Sequence, residues 1–349
     1  MNNISFIVTD KCNIRCDFCA PECDPKYKEY LKSKDMIKIF SDLESQMEIS
    51  LVVFTGGEPM LFKNEIIETI KYIKKISPKT NLRIVTNGFW ASSFKSSKIT
   101  ITELISAGIS ELNISVDDFH QKYISEKNIK NIVFNAREFG LRVLLAHKSY
   151  PNSKSDKEYY ENLLGSEITH IRESTKDNLS KETIFFSSGY TVPIGRGSKN
   201  INKEEWLPKN YTDQRWKGPC NEVLKSYTVS PDGSLMPCCG LVSRDLGVFY
   251  GSNVIENDTA KEMEKYCNSF LYNWLALEGP SGILNFVKQK DSSLMFSKYF
   301  VQNCQVCQEL FSNETVLNII YQNMDEISSK LSLARCLLDA RRVTLLESI

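Results

Sequence analysis

The first half of the chain alternates short apolar, β-branched runs with amphipathic helical patterns, and this alternation restricts the fold more than any other sequence feature. Apolar periodicity predicts helices over 34–47 and 65–76. Strands are predicted at 4–8, 51–55, 81–86, 111–116 and 141–147, with a further candidate at 167–173. Because strands that alternate with helices pair in parallel through right-handed βαβ units, the sequence predicts an α/β fold, with the sheet open or closed into a barrel.

The pattern changes after about residue 200. The segment YTVSPDGSLMPCC (227–239) predicts a β-hairpin about the turn Pro231-Asp232-Gly233. Helical patterns follow from about 256 to the end, interrupted at 279–282 and by a cysteine pair. We therefore place a domain boundary in the polar segment GRGSKNINKEE, which divides the chain into domains at 1–200 and 201–349.

Composition narrows the class of protein. The 43 basic residues equal the 43 acidic ones, so no overall positive charge favours nucleic acid binding. No apolar run approaches the roughly 18–20 residues of a membrane span, and the N-terminus lacks the pattern of a signal peptide. We therefore expect a cytoplasmic protein whose 11 cysteines serve metal or redox chemistry more than disulfides.

The first cysteines lie in TDKCNIRCDFCAPEC (9–23), directly after the first predicted strand. Cys12, Cys16 and Cys19 are spaced C-x3-C-x2-C. This triplet fits poorly the paired C-x2-C spacing of zinc sites. Three thiolates on one loop can hold three irons of a [4Fe–4S] cluster and leave the fourth iron open.

This cysteine motif, with Phe18 before its third cysteine, resembles the signature of the radical S-adenosylmethionine (SAM) superfamily. The sequence GGEP follows the second predicted strand, where that family binds the SAM amino group. Glycines allow close approach of a ligand, and oxygen atoms there accept hydrogen bonds from an ammonium. The residues of this motif are Gly56, Gly57, Glu58 and Pro59.

The resemblance implies further cofactor contacts. Asn87 lies in TNG (86–88), after the third strand, while Ser115 and Asp117 lie in SVDD, at the fourth. Either of the latter two could contact SAM or cap the helix that begins near Phe119. Arg196, in PIGRG (193–197), lies where the family places its last barrel strand; it could pair with a carboxylate of SAM or substrate, or lie on the surface.

The resemblance also implies a (β/α)6 partial barrel and a reaction. In that family a reduced [4Fe–4S] cluster cleaves bound SAM, and the 5′-deoxyadenosyl radical removes a hydrogen atom from the substrate. The protein positions that hydrogen atom and excludes water. A reductant such as flavodoxin or ferredoxin is the implied electron donor.

A second cysteine set follows in the C-terminal half. Cys220 and Cys238 flank the predicted hairpin, and Cys304 and Cys307 form a later C-x2-C pair. This arrangement resembles the twitch module, a shortened SPASM domain, which holds one auxiliary [4Fe–4S] cluster. A zinc site with four thiolate ligands is the alternative.

The remaining cysteines are Cys23, Cys239, Cys267 and Cys336. Cys267 and Cys336 are expected to be core thiols, and the role of Cys23 is open. Cys239 adjoins a predicted ligand, so one thiol of that pair is left over. It could return a hydrogen atom to a substrate radical, act as an alternative ligand or be structural.

The combination of these motifs most resembles radical SAM peptide epimerases, which convert an L residue to a D residue of a ribosomal precursor peptide. Peptide cross-linking is the closest alternative, and a non-catalytic iron–sulfur or zinc scaffold is the alternative of another class. Since the strand pattern begins at the first residues, we expect the peptide to bind the barrel mouth and the twitch region directly, or to arrive on a carrier.

Overall fold

The computed structural model describes residues 2–151, 153–171, 184–200, 206–208, 211–212, 214, 216–241, 246–249 and 251–332. Nine strands lie in these residues: β1 (Asn2–Thr9), β2 (Ile49–Gly56), β3 (Asn81–Thr86), β4 (Glu111–Ser115), β5 (Arg142–Ser149), β6 (Thr169–His170), β7 (Ile184–Tyr190), β8 (Ser226–Val229) and β9 (Leu235–Met236).

Twelve α-helices are described in the same residues. They are α1 (Ser33–Glu44), α2 (Lys63–Ile76), α3 (Phe94–Ala107), α4 (Asp118–Gln121), α5 (Glu126–Glu138), α6 (Lys157–Leu164), α7 (Gly197–Asn200), α8 (Thr259–Asn268), α9 (Phe270–Leu277), α10 (Gly279–Lys290), α11 (Asn303–Phe311) and α12 (Glu314–Gln322). Residues 324–332 are also helical.

All nine strands form one sheet in the order β6-β7-β5-β4-β3-β2-β1-β8-β9. Every pair of neighbours is parallel except β8 and β9. The central strands are buried because helices cover the sheet, as the apolar composition of "LVVF" and "NLRIV" requires. The predicted parallel α/β fold is confirmed, and its carboxyl strand ends meet at one edge.

The predicted elements agree with the structure except at several points. The strand candidate at 167–173 is reduced to Thr169–His170, and residues 172 and 173 lie outside the described part. The expectation that PIGRG (193–197) forms the last barrel strand is wrong. Strand β7 ends at Tyr190, and PIGRG packs along the loop that contains Cys19. The predicted interruption of the helical pattern at 279–282 is wrong, because these residues form the first turn of α10 and Glu278 alone separates α10 from α9. The predicted interruption at the late cysteine pair is also wrong, because both cysteines lie within α11.

The hairpin β8–β9 extends the sheet of the first half of the chain. Strand β8 pairs in parallel with β1, from Asn3 opposite Ser226 to Phe6 opposite Val229. The predicted domain boundary near residue 200 therefore divides two regions that share one sheet, and it stays a prediction. Within the described residues, no helix has both the length and the apolar character needed to cross a membrane.

Candidate active site

The first cysteine loop, residues 10–24, leaves the carboxyl end of β1. A bridge between Lys11 and Asp24 closes its base, with a hydrogen bond from Asp24 N to Asp10 O of 3.2 Å. Cys19 N donates to Cys16 O over 3.3 Å, which gives the loop a turn between these two cysteines. Because this bridge holds both ends of the loop next to the end of β1, the loop presents its thiols at the edge of the sheet.

Two glycines pack this loop against the end of β2. A Cβ on Gly56, whose φ is +130°, would lie 2.3 Å from Thr9 O, and one on Gly57 would lie 2.2 Å from Lys11 O. Gly57 N and Glu58 N donate to those same two carbonyls, over 2.8 and 2.9 Å. The glycines are therefore required by backbone contact with the cysteine loop, in addition to any contact with a ligand.

The side chain of Glu58 is completely buried and joins two strand ends. Its carboxylate accepts hydrogen bonds from Met60 N (3.0 Å), Thr86 Oγ1 (2.8 Å) and Asn87 N (2.7 Å). Burial raises its pKa to about 7, and these donors oppose the shift. Glu58 and Pro59, which opens a short 3-10 helix, are absent from the residues that line the adjacent cavity.

Asn87 lies beside the first cysteine of the loop. Its Nδ2 donates to Asn13 Oδ1 over 2.9 Å and lies 4.0 Å from the sulfur of Cys12. The side chain therefore helps to orient the loop, and it does not line the cavity.

Asp117 has one oxygen in a cap and the other unpartnered. Its Oδ1 accepts hydrogen bonds from Phe119 N (3.1 Å) and His120 N (3.0 Å), which caps α4. Its Oδ2 is buried, lacks a partner in the described structure, and belongs to a residue that lines the cavity. The two roles considered from the sequence are thus compatible, since each oxygen can serve one.

The main cavity, of about 310 Å³, brings most of the predicted SAM-site residues together. Its predicted members are Cys12, Cys16, Phe18, Cys19, Gly56, Gly57, Ser115 and Asp117. Cys23, Leu241 and Gln302 also line it, so residues from the C-terminal half contribute to its wall. The volume lies at the lower end of the range for small-molecule sites.

Two further cavity residues were missed by sequence reasoning. His120 Nδ1 lies 2.9 Å from Asp117 Oδ1, and its ring also interacts with the thiol of Cys16. Its position three residues after Asp117 on a predicted helix was the available signal. Lys148 projects into the cavity from the end of β5, where the rule that active sites follow parallel strands could have found it.

Lys148 is the unpaired cation of this cavity within the described residues. Its side chain is open to the cavity but surrounded by protein; this burial lowers its pKa, and Asp117 opposes the shift. It forms neither an ion pair nor a hydrogen bond with the described part of the chain. An anionic group in the cavity would therefore gain a partner without displacing one.

Arg196 does not lie on the surface, and its hydrogen-bonding partners are carbonyl groups of the first cysteine loop. Its Nη1 donates to Cys16 O over 2.8 Å and its Nη2 to Cys23 O over 2.7 Å. Its backbone N donates to Cys19 O over 3.0 Å. The side chain is 5% exposed. Arg196 is absent from the residues that line the main cavity.

The thiols of the loop differ in their protonation. Burial raises the pKa of Cys12 to about 12. A hydrogen bond with the Cys23 thiol lowers the pKa of Cys19 to about 7, and the nearby guanidinium of Arg196 adds to this shift. The same thiol pair raises the pKa of Cys23. Of Cys12, Cys19 and Cys23, Cys19 therefore has the lowest pKa and is the most readily deprotonated.

The second cysteine group consists of Cys220, Cys238, Cys239, Cys304 and Cys307, which all line one small apolar cavity. Cys239 Sγ lies 3.6 Å from Cys304 Sγ. The cavity measures about 30 Å³, room for no more than a few water molecules. A cluster would therefore require these thiols to separate. Leu241 lines both this cavity and the main one.

The cysteines left unassigned by the two cluster motifs differ in burial and in the cavity that they line. Cys239 is exposed and lines the cavity of the second cysteine group but not the main cavity. The expectation that Cys267 is a core thiol is wrong, because this residue lies exposed in α8. Cys23 is buried against Cys19. Cys336 lies outside the described residues.

The fold and the cysteine loop correspond to a known family. The family model of the radical SAM superfamily matches residues 6–184, more than half of the chain. The chain belongs to the radical SAM superfamily. Membership implies a [4Fe–4S] cluster and SAM as cofactors.

Individual relatives differ in their sequence identity to this chain and in the share of each chain that the match covers. YydG of Bacillus subtilis (strain 168), a protein named for peptide biosynthesis, is 22% identical over 93% of this chain and 96% of its own length. The GTP 3′,8-cyclase of Listeria monocytogenes (strain CLIP80459) is 34% identical, but over 64% of this chain and 62% of its own. The chain therefore spans less than two thirds of the cyclase.

A solved structure is similar at a lower level. Native anSMEcpe with bound AdoMet and the Cp18Cys peptide has a TM-score of 0.45 and 13% identity, over 95% of this chain and 99% of that chain. A TM-score of this size carries no conclusion about function.

The residues of the main cavity fit the implied cofactors. Within the described residues, no three His, Cys, Asp or Glu side chains converge as ligands of one metal ion. Each thiolate of an iron–sulfur cluster binds a different iron, so its ligands surround a space instead of meeting at a point. The three thiols line one cavity, and its wall also includes Asp117, whose Oδ2 has no partner among the described residues, so the lining offers cluster ligands and an acceptor for SAM.

Proposed function

We propose that this protein epimerises a residue of a ribosomally made peptide, from L to D, by radical SAM chemistry. The observation that carries this proposal is the proximity of two cysteine groups: Leu241 forms part of the wall of both cavities. The similarity to YydG, a protein named for peptide biosynthesis, over nearly the whole chain supports a peptide as the substrate.

Cys12, Cys16 and Cys19 would hold the SAM cluster, and the cavity beside them would hold SAM. When bound, these cofactors supply a 5′-deoxyadenosyl radical that removes a hydrogen atom from carbon. Asp117 offers its free oxygen to a hydroxyl or ammonium group, and Lys148 offers a cation to a carboxylate. The apolar side chains of Phe18 and Leu241 exclude water from the reacting atoms.

Five thiols in the second cysteine group exceed by one the four ligands of an auxiliary [4Fe–4S] cluster. Cys220, Cys238, Cys304 and Cys307 are half-buried, whereas Cys239 is exposed. We assign the four half-buried thiols to the cluster and Cys239 to hydrogen donation. For that role the loop from Cys239 to Leu241 must bring the thiol to the main cavity when peptide binds.

In the proposed reaction, one electron from the reductant would break the C5′–S bond of bound SAM, with methionine as the leaving group. A Cα–H bond of the peptide breaks and its hydrogen atom forms 5′-deoxyadenosine. The S–H bond of Cys239 then breaks, and its hydrogen atom forms a new Cα–H bond on the opposite face. One electron and one proton restore the thiol, with a flavodoxin or ferredoxin as the electron donor. Peptide mass is unchanged, whereas a cross-link would remove two hydrogens.

The test is an anaerobic incubation in heavy water of the reconstituted protein with SAM, dithionite and the small peptides encoded beside its gene. We expect 5′-deoxyadenosine and a D residue carrying one deuterium, because the thiol exchanges with solvent. Cys239→Ala should still form 5′-deoxyadenosine but lose the D product. Cys267→Ala, which removes another exposed thiol, is the matched control and should behave as wild type.

Three outcomes would contradict the proposal. Normal epimerisation by Cys239→Ala would overturn the donor assignment, and loss of two hydrogens would replace epimerisation by cross-linking. Failure of the wild-type protein to form 5′-deoxyadenosine would favour a non-catalytic scaffold. Iron content tests the auxiliary cluster: Cys307→Ala should lose about four irons per chain and keep the SAM cluster.

A further inference from the structure

The side chain of Arg196 is enclosed by the backbone of the first cysteine loop. The two terminal nitrogen atoms of its guanidinium donate hydrogen bonds to the carbonyls of Cys16 and Cys23, and its backbone N donates to the carbonyl of Cys19. Gly195, with φ of +52°, brings this segment so close that a Cβ would lie 1.9 Å from Ala20 O. Arg196 thus hydrogen-bonds to three carbonyls of the loop, and Gly195 allows the backbone to lie against a fourth, that of Ala20.

The charge of Arg196 is as distinctive as its hydrogen bonds. Arg196 as a residue is 5% exposed, its guanidinium is a cation, and no carboxylate of the described residues forms an ion pair with it. Its partners are neutral carbonyl oxygens. A buried cation without a counter-ion stabilises nearby negative charge strongly, because little solvent screens it.

We propose that Arg196 is a positioning residue of the SAM cluster that fixes the ligand loop and raises the reduction potential of the cluster. Reduction adds one negative charge to the cluster, and the buried cation stabilises that state. Net charge and hydrogen bonding near a cluster are recognised determinants of its potential. The inference rests on the cluster that family membership implies, and it is independent of the peptide reaction.

Two substitutions separate the effect of the hydrogen bonds to the loop from the effect of the positive charge. Arg196→Lys keeps the charge but cannot bind two carbonyls through a rigid fork, whereas Arg196→Gln removes the charge and can still donate a hydrogen bond. Lys199→Gln is the matched control, since it removes an exposed cation that pairs with Glu22 of the same loop over 3.2 Å. Circular dichroism verifies the fold of each variant.

Cluster assembly is measured by iron content and visible absorbance after anaerobic reconstitution. Reduction potential is measured by an electron paramagnetic resonance titration of the signal that changes on addition of SAM. We expect both Arg196 variants to assemble less cluster than wild type. Only Arg196→Gln should lower the reduction potential. At the wild-type midpoint potential, we expect the ratio of reduced to oxidised cluster to fall about tenfold, which corresponds to a shift of 59 mV for one electron. Lys199→Gln should change neither quantity.

Several results would overturn the inference. Full cluster assembly in both variants would refute the role of Arg196 in fixing the ligand loop. An unchanged reduction potential in Arg196→Gln would refute the effect of its charge. If Arg196→Gln holds too little cluster for a titration, Arg196→Lys decides, because a lowered potential despite its retained charge would refute the proposal. A wild-type protein without a SAM-responsive signal would instead count against the cluster itself.

Discussion

Asp117 Oδ1 lies 2.9 Å from Nδ1 of His120, while the second oxygen of the same carboxylate is buried without a partner among the described residues. The ring of His120 in turn interacts with the thiol of Cys16. One carboxylate therefore caps a helix, contacts a histidine beside a predicted cluster ligand and keeps an acceptor for a ligand. Its two oxygens can be tested separately.

Asp117→Asn should weaken SAM binding without unfolding the protein. The amide oxygen can still cap α4, but an amino group would replace the free acceptor. We expect the affinity for SAM to fall about tenfold, while the cap that the amide oxygen retains keeps the variant folded. Asp117→Ala should also lose about 1 kcal/mol of stability. Calorimetry and urea denaturation measure these effects, and wild-type affinity in Asp117→Asn would contradict the assignment.

Cys19→Ala and Cys23→Ala should differ in their ability to hold iron. Cys19 belongs to the predicted ligand triplet, so its loss should abolish the SAM cluster. Cys23 contacts Cys19 but is not needed as a ligand, so Cys23→Ala should retain wild-type iron and sulfide. Chemical assay of both elements after reconstitution measures the difference. Loss of the cluster from Cys23→Ala would show that the triplet is incomplete.

Lys148→Met should reduce the affinity of the main cavity for SAM. The substitution preserves length and removes the unpaired cation, so the carboxylate of SAM would lose a partner. We expect about a tenfold increase in the dissociation constant, measured by equilibrium dialysis of the reconstituted protein. Lys98→Met removes a surface ion pair with Glu138 on another helix and should leave the affinity unchanged. Equal affinity in both variants would exclude a role for Lys148 in holding SAM.

The pKa of Glu58 predicts a dependence of stability on pH. Its folded pKa of about 7 lies above the ordinary value of 4.5, so folding favours the protonated form. The resulting stability is present at low pH and is lost as the pH rises through 7. Between pH 5 and 8 the wild type should lose about 2–3 kcal/mol relative to Glu58→Gln. Urea denaturation of the reduced, cluster-free proteins measures this difference, and parallel pH curves would contradict it.

The local sequence predicted the parts of the fold that depend on local patterns. Alternating apolar residues fixed the position of β3 to the residue, and the spacing of Cys12, Cys16 and Cys19 predicted a cluster loop. The turn sequence Pro231-Asp232-Gly233 predicted the hairpin, and the φ of +85° that Gly233 adopts there is one that glycine reaches easily. These features are encoded within a few residues of one another.

Long-range partners were not predictable in the same way. Nothing in the residues around Arg196 indicates that its guanidinium reaches Cys16, 180 positions earlier. The pairing of β1 with β8 likewise has no local signal, because a parallel pair needs only two compatible strands. Both contacts depend on how distant segments of the chain are arranged in the fold, which the residues around each contact do not specify.

The pairing of β1 with β8 has a consequence for changes in chain length. The first cysteine loop follows β1, while Cys220 precedes β8 and Cys238 follows its hairpin, so the first loop and this part of the second cysteine group are attached to neighbouring strands. Neighbouring strands lie about 4.8 Å apart in any sheet. Insertions or deletions between Asn200 and Cys220 would therefore alter the connection but leave the spacing of the two groups unchanged.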